Sequence, residues 1–478
     1  MLFRPLAILG MVVALTACAD MRGLAPQAVL GDANKLAAAE TLQGVAVADW
    51  PASRWWTDFA DPQLDVLMAE AIAANPSLKI AEARVEKARA QAEGTQSALS
   101  PRVNGNLSMM EELFSEHDLY PPPYAGTWNS QNRAALDFGY EFDFWGKNRA
   151  ALDGALGKVK AAEVDAQAAR LMVSVAIAHN YVGLQRAFAQ RDIAEAVLKQ
   201  RAHIHELTAQ RFAAGLDSRV ELKQAETAIP AIREQLSAID ESIALGRNQL
   251  AALLGQGPDR GRSITRPRIE PRPGVTLPSH LPAELVGRRP DIVAQRWRVE
   301  AQEKDIDVAK AQFYPDISLT AFIGLQSIGV SEFLKSASGT AGVGPALSLP
   351  LFDGGRRRSN LQARDADYDI AVEQYNQTLV DALHEVVDQL SSFRSMAEQR
   401  RQQRLALLRT QESYDLSLQR YREGMINYLQ VLAAEAQLLA QKSRAADLDA
   451  RELDLSINLI RALGGGYDGD TNSAAIQP

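Results

Sequence analysis

One cysteine in 478 residues excludes an internal disulfide and any cysteine-based zinc site. That residue, Cys18, is therefore free, modified or joined to another molecule. An excess of positive charge is lacking too. The 51 lysines and arginines against 59 aspartates and glutamates leave a net charge of -8, so the broad footprint of a nucleic-acid partner is absent. Proline is missing between Pro123 and Pro230 and again between Pro350 and Pro478. Because a proline inside a helix costs about 3 kcal/mol, both stretches can hold very long helices. Nor is any apolar run long enough to cross a bilayer core of about 30 Å as a helix. The one long run, Leu6 to Cys18, follows Arg4 and reads as a secretory signal peptide over residues 1–17.

The end of that run, Leu15-Thr16-Ala17-Cys18, resembles a bacterial lipobox, in which the cysteine sulfur receives a diacylglyceryl group and becomes the mature N-terminus. An ordinary signal with an incidental cysteine is the weaker reading, since the only cysteine falls at the cleavage point. Ala19 stands where an aspartate usually retains such lipoproteins in the inner membrane, so the outer membrane is the expected address. Acyl chains contribute about 0.8 kcal/mol per buried methylene, and a chain held this way needs no transmembrane helix.

What is present is a duplication. Pro76, Arg84, Val85, Glu86 and Pro101 match Pro290, Arg298, Val299, Glu300 and Pro315 in order and spacing. Arg211-Phe212-Ala213-Ala214-Gly215 likewise matches Arg420-Tyr421-Arg422-Glu423-Gly424, and Leu254-Gly255 matches Leu463-Gly464. Helical signal dominates each half. Leu379, Leu383, Val386, Leu390, Phe393 and Ala397 recur at the spacing of a coiled-coil seam, and Ile193, Val197, Gln200, Ile204 and Leu207 nearly repeat it. A helix over 147–213 would run for roughly 100 Å at ~1.5 Å per residue.

Ahead of each long helix stand two runs with a period of two. Ala134, Leu136, Phe138, Tyr140, Phe142 and Phe144 are apolar, while Asp137, Glu141 and Asp143 between them are acidic. Val103 to Phe114 alternates more loosely; Ile317, Leu319, Ala321, Ile323 and Leu325 form a third apolar face and Val343, Leu347, Leu349 and Leu351 a fourth. Strands of about ten residues suit a bilayer, but about eight strands are the practical minimum for a closed barrel. Strand edges cannot face lipid unpaired, so the chain must share its barrel with other copies; three would supply 12 strands.

The predicted division is a leader over 1–17, a lipid-anchored segment and equatorial part over 18–74, a first repeat over 75–265, a second over 266–463, and a tail over 464–478. The first repeat holds a helix, strands over about 103–114 and 133–144, and long helices over about 147–213 and 217–255. The second holds a helix over about 290–313, strands over about 316–327 and 342–352, and helices over about 355–422 and 426–463.

Several short stretches together resemble the trimeric outer-membrane efflux ducts, in the lipoprotein subgroup that serves resistance-nodulation-division pumps. They are Trp55-Trp56 with Phe59-Ala60-Asp61-Pro62-Gln63-Leu64 and Asn75-Pro76; Arg288-Arg289-Pro290-Asp291-Ile292; Ala311-Gln312-Phe313-Tyr314-Pro315-Asp316-Ile317; Pro350-Leu351-Phe352-Asp353-Gly354-Gly355-Arg356; and Leu463-Gly464-Gly465-Gly466-Tyr467. The resemblance implies a mainly α fold with a β-barrel portion: a homotrimer with a 12-stranded barrel in the outer membrane and a helical tunnel through the periplasm. It also implies passive conduction of toxic small molecules, a periplasmic adaptor and an inner-membrane pump as partners, and no cofactor beyond the lipid on Cys18.

Site expectations follow. The helix-helix turns lie at Ala213 to Asp217 and Glu423 to Asn427, and the resemblance assigns adaptor docking to Gly215, Leu216 and Ser218 and to Gly424 and Met425. By the family pattern the gate leucine is Leu429, with Val220 at the matching place. Ala433 and Ala436 stand where the subgroup often carries an aspartate and an arginine, so a hydrophobic gate is expected, braced by Arg211 or Arg420. Asp137, Glu141 and Asp143 should line the barrel lumen and make it negative. His203-Ile204-His205-Glu206 offers too few ligands for a metal site, and Gly354-Gly355 and Gly464-Gly465-Gly466 lack the context of a phosphate loop. The rival readings are a periplasmic coiled-coil adaptor and a duct for type I protein secretion; no arrangement of catalytic residues stands out.

Overall fold

The computed structural model describes residues 21–36, 46–117, 119–270, 276–278 and 281–468. Cys18, the rest of the leader and the tail from 469 lie outside the described residues.

The chain is mostly helical. Helices α1 (Pro62–Ala74) and α2 (Pro76–Gln96) precede strands β1 (Arg102–Leu113) and β2 (Trp128–Phe142), and α3 (Lys147–Ala213) and α4 (Arg219–Leu253) complete the first half. The second half holds α5 (Pro290–Ala311), β3 (Asp316–Ile328), β4 (Gly339–Ser348), α6 (Arg356–Arg422) and α7 (Tyr428–Ala462). Helices α3 and α6 are each 67 residues long and α4 and α7 each 35, which is the duplication expressed as structure. Pro230 sits inside α4 without ending it. No described helix is long and apolar enough to cross a membrane.

Contacts divide the chain into two units. The division does not follow the repeats, because each unit takes pieces of both.

The first unit comprises Met1–Leu30, Arg84–Ala162 and Ala294–Asn376. Its centre is an antiparallel sheet in the order β1-β2-β3-β4. The register places Val103 opposite Phe138, Phe138 opposite Ala321, and Ala321 opposite Val343, so a single row of apolar residues crosses all four strands. One residue along, Asn104 faces Asp137, Asp137 faces Phe322 and Phe322 faces Gly342. Two strands differ from expectation at both ends: β2 begins at Trp128 and stops at Phe142, and β4 runs Gly339–Ser348. Trp145 stacks on Tyr314 at 4.7 Å and donates from Nε1 to the Pro315 carbonyl at 2.8 Å, tying the end of β2 to the start of β3. The N-terminal segment is strapped to α6: Arg358 donates to the Arg22 carbonyl at 3.1 Å, and Asp369 accepts from the backbone of Gln27 and Ala28 at 2.9 and 2.8 Å.

The second unit comprises Gly31–Ala83, Glu163–Val293 and Gln377–Pro478. Its core joins Trp55, Trp56, Phe59, Leu64 and Leu67 to Ile177, Tyr181 and Leu184 of α3, Leu250 of α4 and Leu453 and Ile457 of α7. Each large side chain so buried contributes about 1.5–3 kcal/mol. Asp61 caps α1 through the backbone N–H of Gln63 and also accepts from the Tyr181 hydroxyl at 2.8 Å and the backbone of Arg268 at 2.9 Å. Arg289 is buried and binds Asp291, Glu385 at 2.9 Å and the Ala462 carbonyl at 3.0 Å. Gly464 closes α7 with φ +89°, and a Cβ there would lie 1.9 Å from the Arg288 carbonyl oxygen. The motifs that carry the family resemblance are thus largely core and corner residues. In the seam of α6, Leu379, Leu383, Val386 and Leu390 are buried as expected, but beyond Phe393 the buried residue is Met396 and Ala397 is exposed.

Candidate functional site

The two helix-helix turns are built alike. At the first, the Leu216 N–H bonds the Arg211 carbonyl at 2.9 Å and the Gly215 N–H the Phe212 carbonyl at 3.0 Å; at the second, Met425 bonds Arg420 at 2.9 Å and Gly424 bonds Tyr421 at 3.0 Å. Each is a Schellman cap, whose left-handed residue is best filled by glycine, and φ is +75° at Gly215 and +76° at Gly424. The next helices start from Ser218 and Asn427 as N-caps. Ser218 forms a full capping box with Glu221. The apolar tip residues Leu216 and Met425 are 66% and 56% exposed, which leaves them free to meet another surface.

The first turn is then locked to the second hairpin. Asp217 takes a two-pronged ion pair from Arg211, Nε to Oδ2 at 3.0 Å and Nη2 to Oδ1 at 3.1 Å, and accepts the Tyr421 hydroxyl of α6 at 2.7 Å. Arg211 also donates to the Tyr421 carbonyl at 3.2 Å and lies 4.8 Å from its ring centroid, while Thr208 shares a hydrogen bond with the Tyr421 hydroxyl at 2.9 Å. Burial raises the Asp217 carboxyl, but the bonds from Arg211 and Tyr421 outweigh it and hold Asp217 below the usual carboxylate range. Burial pushes the Tyr421 hydroxyl up to about 12. The repeat breaks here, since Arg420, Ile426 and Phe212 occupy the matching positions and Arg420 is exposed. Arg211 is therefore not a solvated helix residue; its guanidinium is committed to this lock.

Leu429 and Val220, in the first turns of α7 and α4, are 54% and 63% exposed. Val220 and Leu432 line a groove of about 740 Å³ together with Arg201, Arg219 and Lys223. Ala433 and Ala436 are exposed, but Glu435 is turned inward and buried. It accepts from Gln200 and from Arg201 of α3, both at 3.0 Å. Burial raises its carboxyl in spite of Arg201. A glutamate committed to α3 cannot stand in for the aspartate missing at Ala433.

On the sheet, alternation separates the faces as the sequence implies. Leu107, Leu136, Ile323, Val343 and Leu347 leave the apolar face uncovered, at 55–76% exposure. The polar face is less acidic than expected, because all three carboxylates have cations. Asp137 pairs with Arg133 at 2.5 Å, Glu141 with Lys147 at 2.6 Å and Asp143 with Arg149 at 3.4 Å. Asp143 also lies beyond β2 and accepts from the backbone N–H groups of Asn148 and Arg149, at 3.1 and 2.9 Å, at the start of α3. It is a helix cap, not a strand residue facing a lumen. Arg133 was legible beforehand: it is four residues from Asp137, hence on the same face of the strand.

Residues 67–256 and 281–465 match the outer membrane efflux protein family. The chain belongs to that family. It is an outer-membrane efflux channel, and its open four-stranded sheet and long helices are the family's architecture seen in one chain. The fusaric acid resistance protein FusA of Burkholderia cepacia is 40% identical over 367 residues, 76% of this chain and 69% of that protein. The multidrug resistance outer membrane protein MdtP of Escherichia coli K12 is 30% identical over 435 residues, 88% of each chain. Among solved structures, the outer membrane protein VceC of Vibrio cholerae is 39% identical and superposes with a TM-score of 0.80, covering 88% of this chain and all of that one. Membership decides against the periplasmic coiled-coil adaptor, and the family consists of channels rather than enzymes. Among the described residues, no cluster of three or more histidine, cysteine, aspartate or glutamate side chains could hold a metal ion.

Proposed function

We propose that the chain is the exit duct of a tripartite efflux pump, in which three copies close their sheets into one barrel and an adaptor and an inner-membrane pump dock at the helical turns. Supporting the trimer, the sheet presents two strand edges, β1 and β4, together with an uncovered apolar face, and neither can be left so in a bilayer. The cargo is small toxic organic molecules, the class that the names of the relatives point to. No cofactor takes part; the one attached group is the lipid on Cys18. Its placement has support from the strap: Arg22 is pinned to the first turn of α6, four residues after Cys18, within about 14 Å of chain reach. Exposed Leu351 and Phe352 precede that same turn.

Within such a trimer Leu429 and Val220 form the gate, an apolar narrowing that blocks ions by making their hydration unfavourable. Leu216, Met425 and the capped turns at Gly215, Ser218 and Gly424 form the docking end. Arg420 remains available near the gate, whereas Arg211 holds the turn. The observation that carries this reading is the two-faced sheet, apolar across four strands on one side and polar on the other. Purified particles should form channels in planar bilayers, and Leu429→Gly should widen them. Particles that insert without conducting would remove the duct from consideration.

A further inference from the structure

The polar face of the sheet carries one feature that simple solvation of a channel wall does not require. A chain of contacts crosses all four strands at one level. Asn106 of β1 donates from Nδ2 to Asp137 Oδ2 at 2.6 Å. Arg133 of β2 grips the same carboxylate with both terminal nitrogens, at 3.1 and 2.5 Å. Its guanidinium carbon lies 5.9 Å from the ring centroid of Phe322 on β3. The ring in turn rests against Gly342 of β4, where a Cβ would come within 2.7 Å of it. Every other aromatic residue of the four strands, Trp128, Phe138, Tyr140 and Phe142, falls on the apolar face by register. Phe322 is the exception, and it is 39% exposed on a face whose other side chains are mostly polar, charged or small, with Met110 and Ile328 towards the far ends of their strands.

We propose that Phe322 and the Arg133–Asp137 pair form a solute-binding station on the channel wall, selective for planar aromatic molecules bearing a carboxylate. The inference rests on the duct reading, which turns the polar face inward and brings three such stations to one level of the lumen. The chemistry is complementary on two counts. An aromatic ring gives a passing ring a stacking partner, and aromatic pairs contribute beyond the area that they bury. Asp137 engages the two terminal nitrogens of Arg133, which leaves Nε–H and the outward N–H groups for a second carboxylate. Both partners of the ion pair are about a third exposed, at 33% and 30%, so a solute can reach them without unfolding the wall. Asn106 and Gly342 fix the geometry from the outer strands, which gives the station a rigid backing. Aliphatic acids satisfy only the charge, and neutral aromatics only the ring.

The test uses the full-length particle in planar bilayers, with 1-naphthoate as the probe and cyclohexanecarboxylate as the non-aromatic control. Naphthoate is expected to interrupt the current in a concentration-dependent way, and the control to need about tenfold more for the same effect, the size of one good aromatic contact. Phe322→Leu should raise the naphthoate requirement by a similar factor, and Phe322→Tyr, which keeps the ring, should restore it. Arg133→Gln should weaken block by naphthoate but not by neutral naphthalenemethanol. Equal block of the parent and of Phe322→Leu by naphthoate overturns the proposal, as does equal block by the two acids. If Phe322→Leu fails to assemble, the comparison of the two acids on the parent channel decides alone. Channel steps that naphthoate leaves untouched sink the station and spare the duct, whereas particles that insert and never conduct sink both.

Discussion

At the scale of single residues, the lock at the first turn concentrates the most interaction in the fewest side chains. Arg211 and Asp217 are nearly buried, at 12% and 6% side-chain exposure, so removing one partner strands the other charge and costs about 3–5 kcal/mol locally. Asp217→Ala should therefore free the turn from Tyr421, accelerate hydrogen exchange in peptides around 208–217 and raise the open fraction of the channel. Unchanged exchange would show that the turn holds without the lock. The pH dependence has a definite sign. The carboxyl of Asp217 is depressed in the folded state. Its contribution is thus fully present above the ordinary aspartate value of about 3.9 and is lost only as pH falls through the lower folded value. Exchange at the turn should stay slow down to pH 4 and quicken below it, and Asp217→Asn should flatten that profile. Arg289 makes a second case. Buried against Asp291, Glu385 and a helix-terminal carbonyl, it should cost about 3–5 kcal/mol on replacement by alanine, read as a fall in the midpoint of thermal unfolding.

At the scale of elements, the sequence is legible where a period repeats and opaque where one contact decides. The long helices follow from the absence of proline and from heptad spacing, and α3 occupies Lys147–Ala213, the range that those signals mark. The faces of β2 follow from alternation. The end of β2 does not, because Phe144 continues the apolar rhythm past the point where Asp143 turns to cap α3. Nor does the partner of Asp217, since Tyr421 lies about two hundred residues away and only the folded chain brings the two hairpins together. The drift from Ala397 to Met396 in α6 is a change of spacing from four to three after Phe393, which a strict heptad cannot anticipate. The face assignment is open to direct test. Phe138→Arg places a charge on the apolar face and should cost about 2–4 kcal/mol of barrel stability in lipid, whereas Ser318→Arg on the opposite face should be tolerated. Folding into liposomes followed by heat-modified gel mobility reads the difference, and equal loss for both variants would reverse or abolish the faces.

At the scale of the molecule, neither face nor edge of the sheet is complete in a single chain. Antiparallel pairing satisfies β2 and β3 on both sides, but β1 and β4 each offer one unpaired edge. A bilayer supplies no water to those edges, so in the membrane they need strand partners, and the proposed trimer supplies them from neighbouring copies. A strip of four strands with an outward apolar side closes without gaps only in whole multiples, and three copies give a 12-stranded barrel, within the range of known sizes. Two copies reach only the smallest barrel, whose interior is filled by side chains and leaves no path for a solute. On the proposed duct reading, conduction selects the larger closure. The proposed trimer predicts the mass of the particle released from outer membranes in mild detergent: three chains of 52.1 kDa, about 156 kDa of protein counted over all 478 residues. A dimer would leave the channel without a lumen, and a monomer would leave two strand edges unpaired in lipid. Either mass would require the sheet to be covered by a different protein. Cys18→Ser adds the remaining arm: if the proposed lipid sits on Cys18, the variant chain lacks the added mass of that lipid, while the number of chains in the particle stays the same.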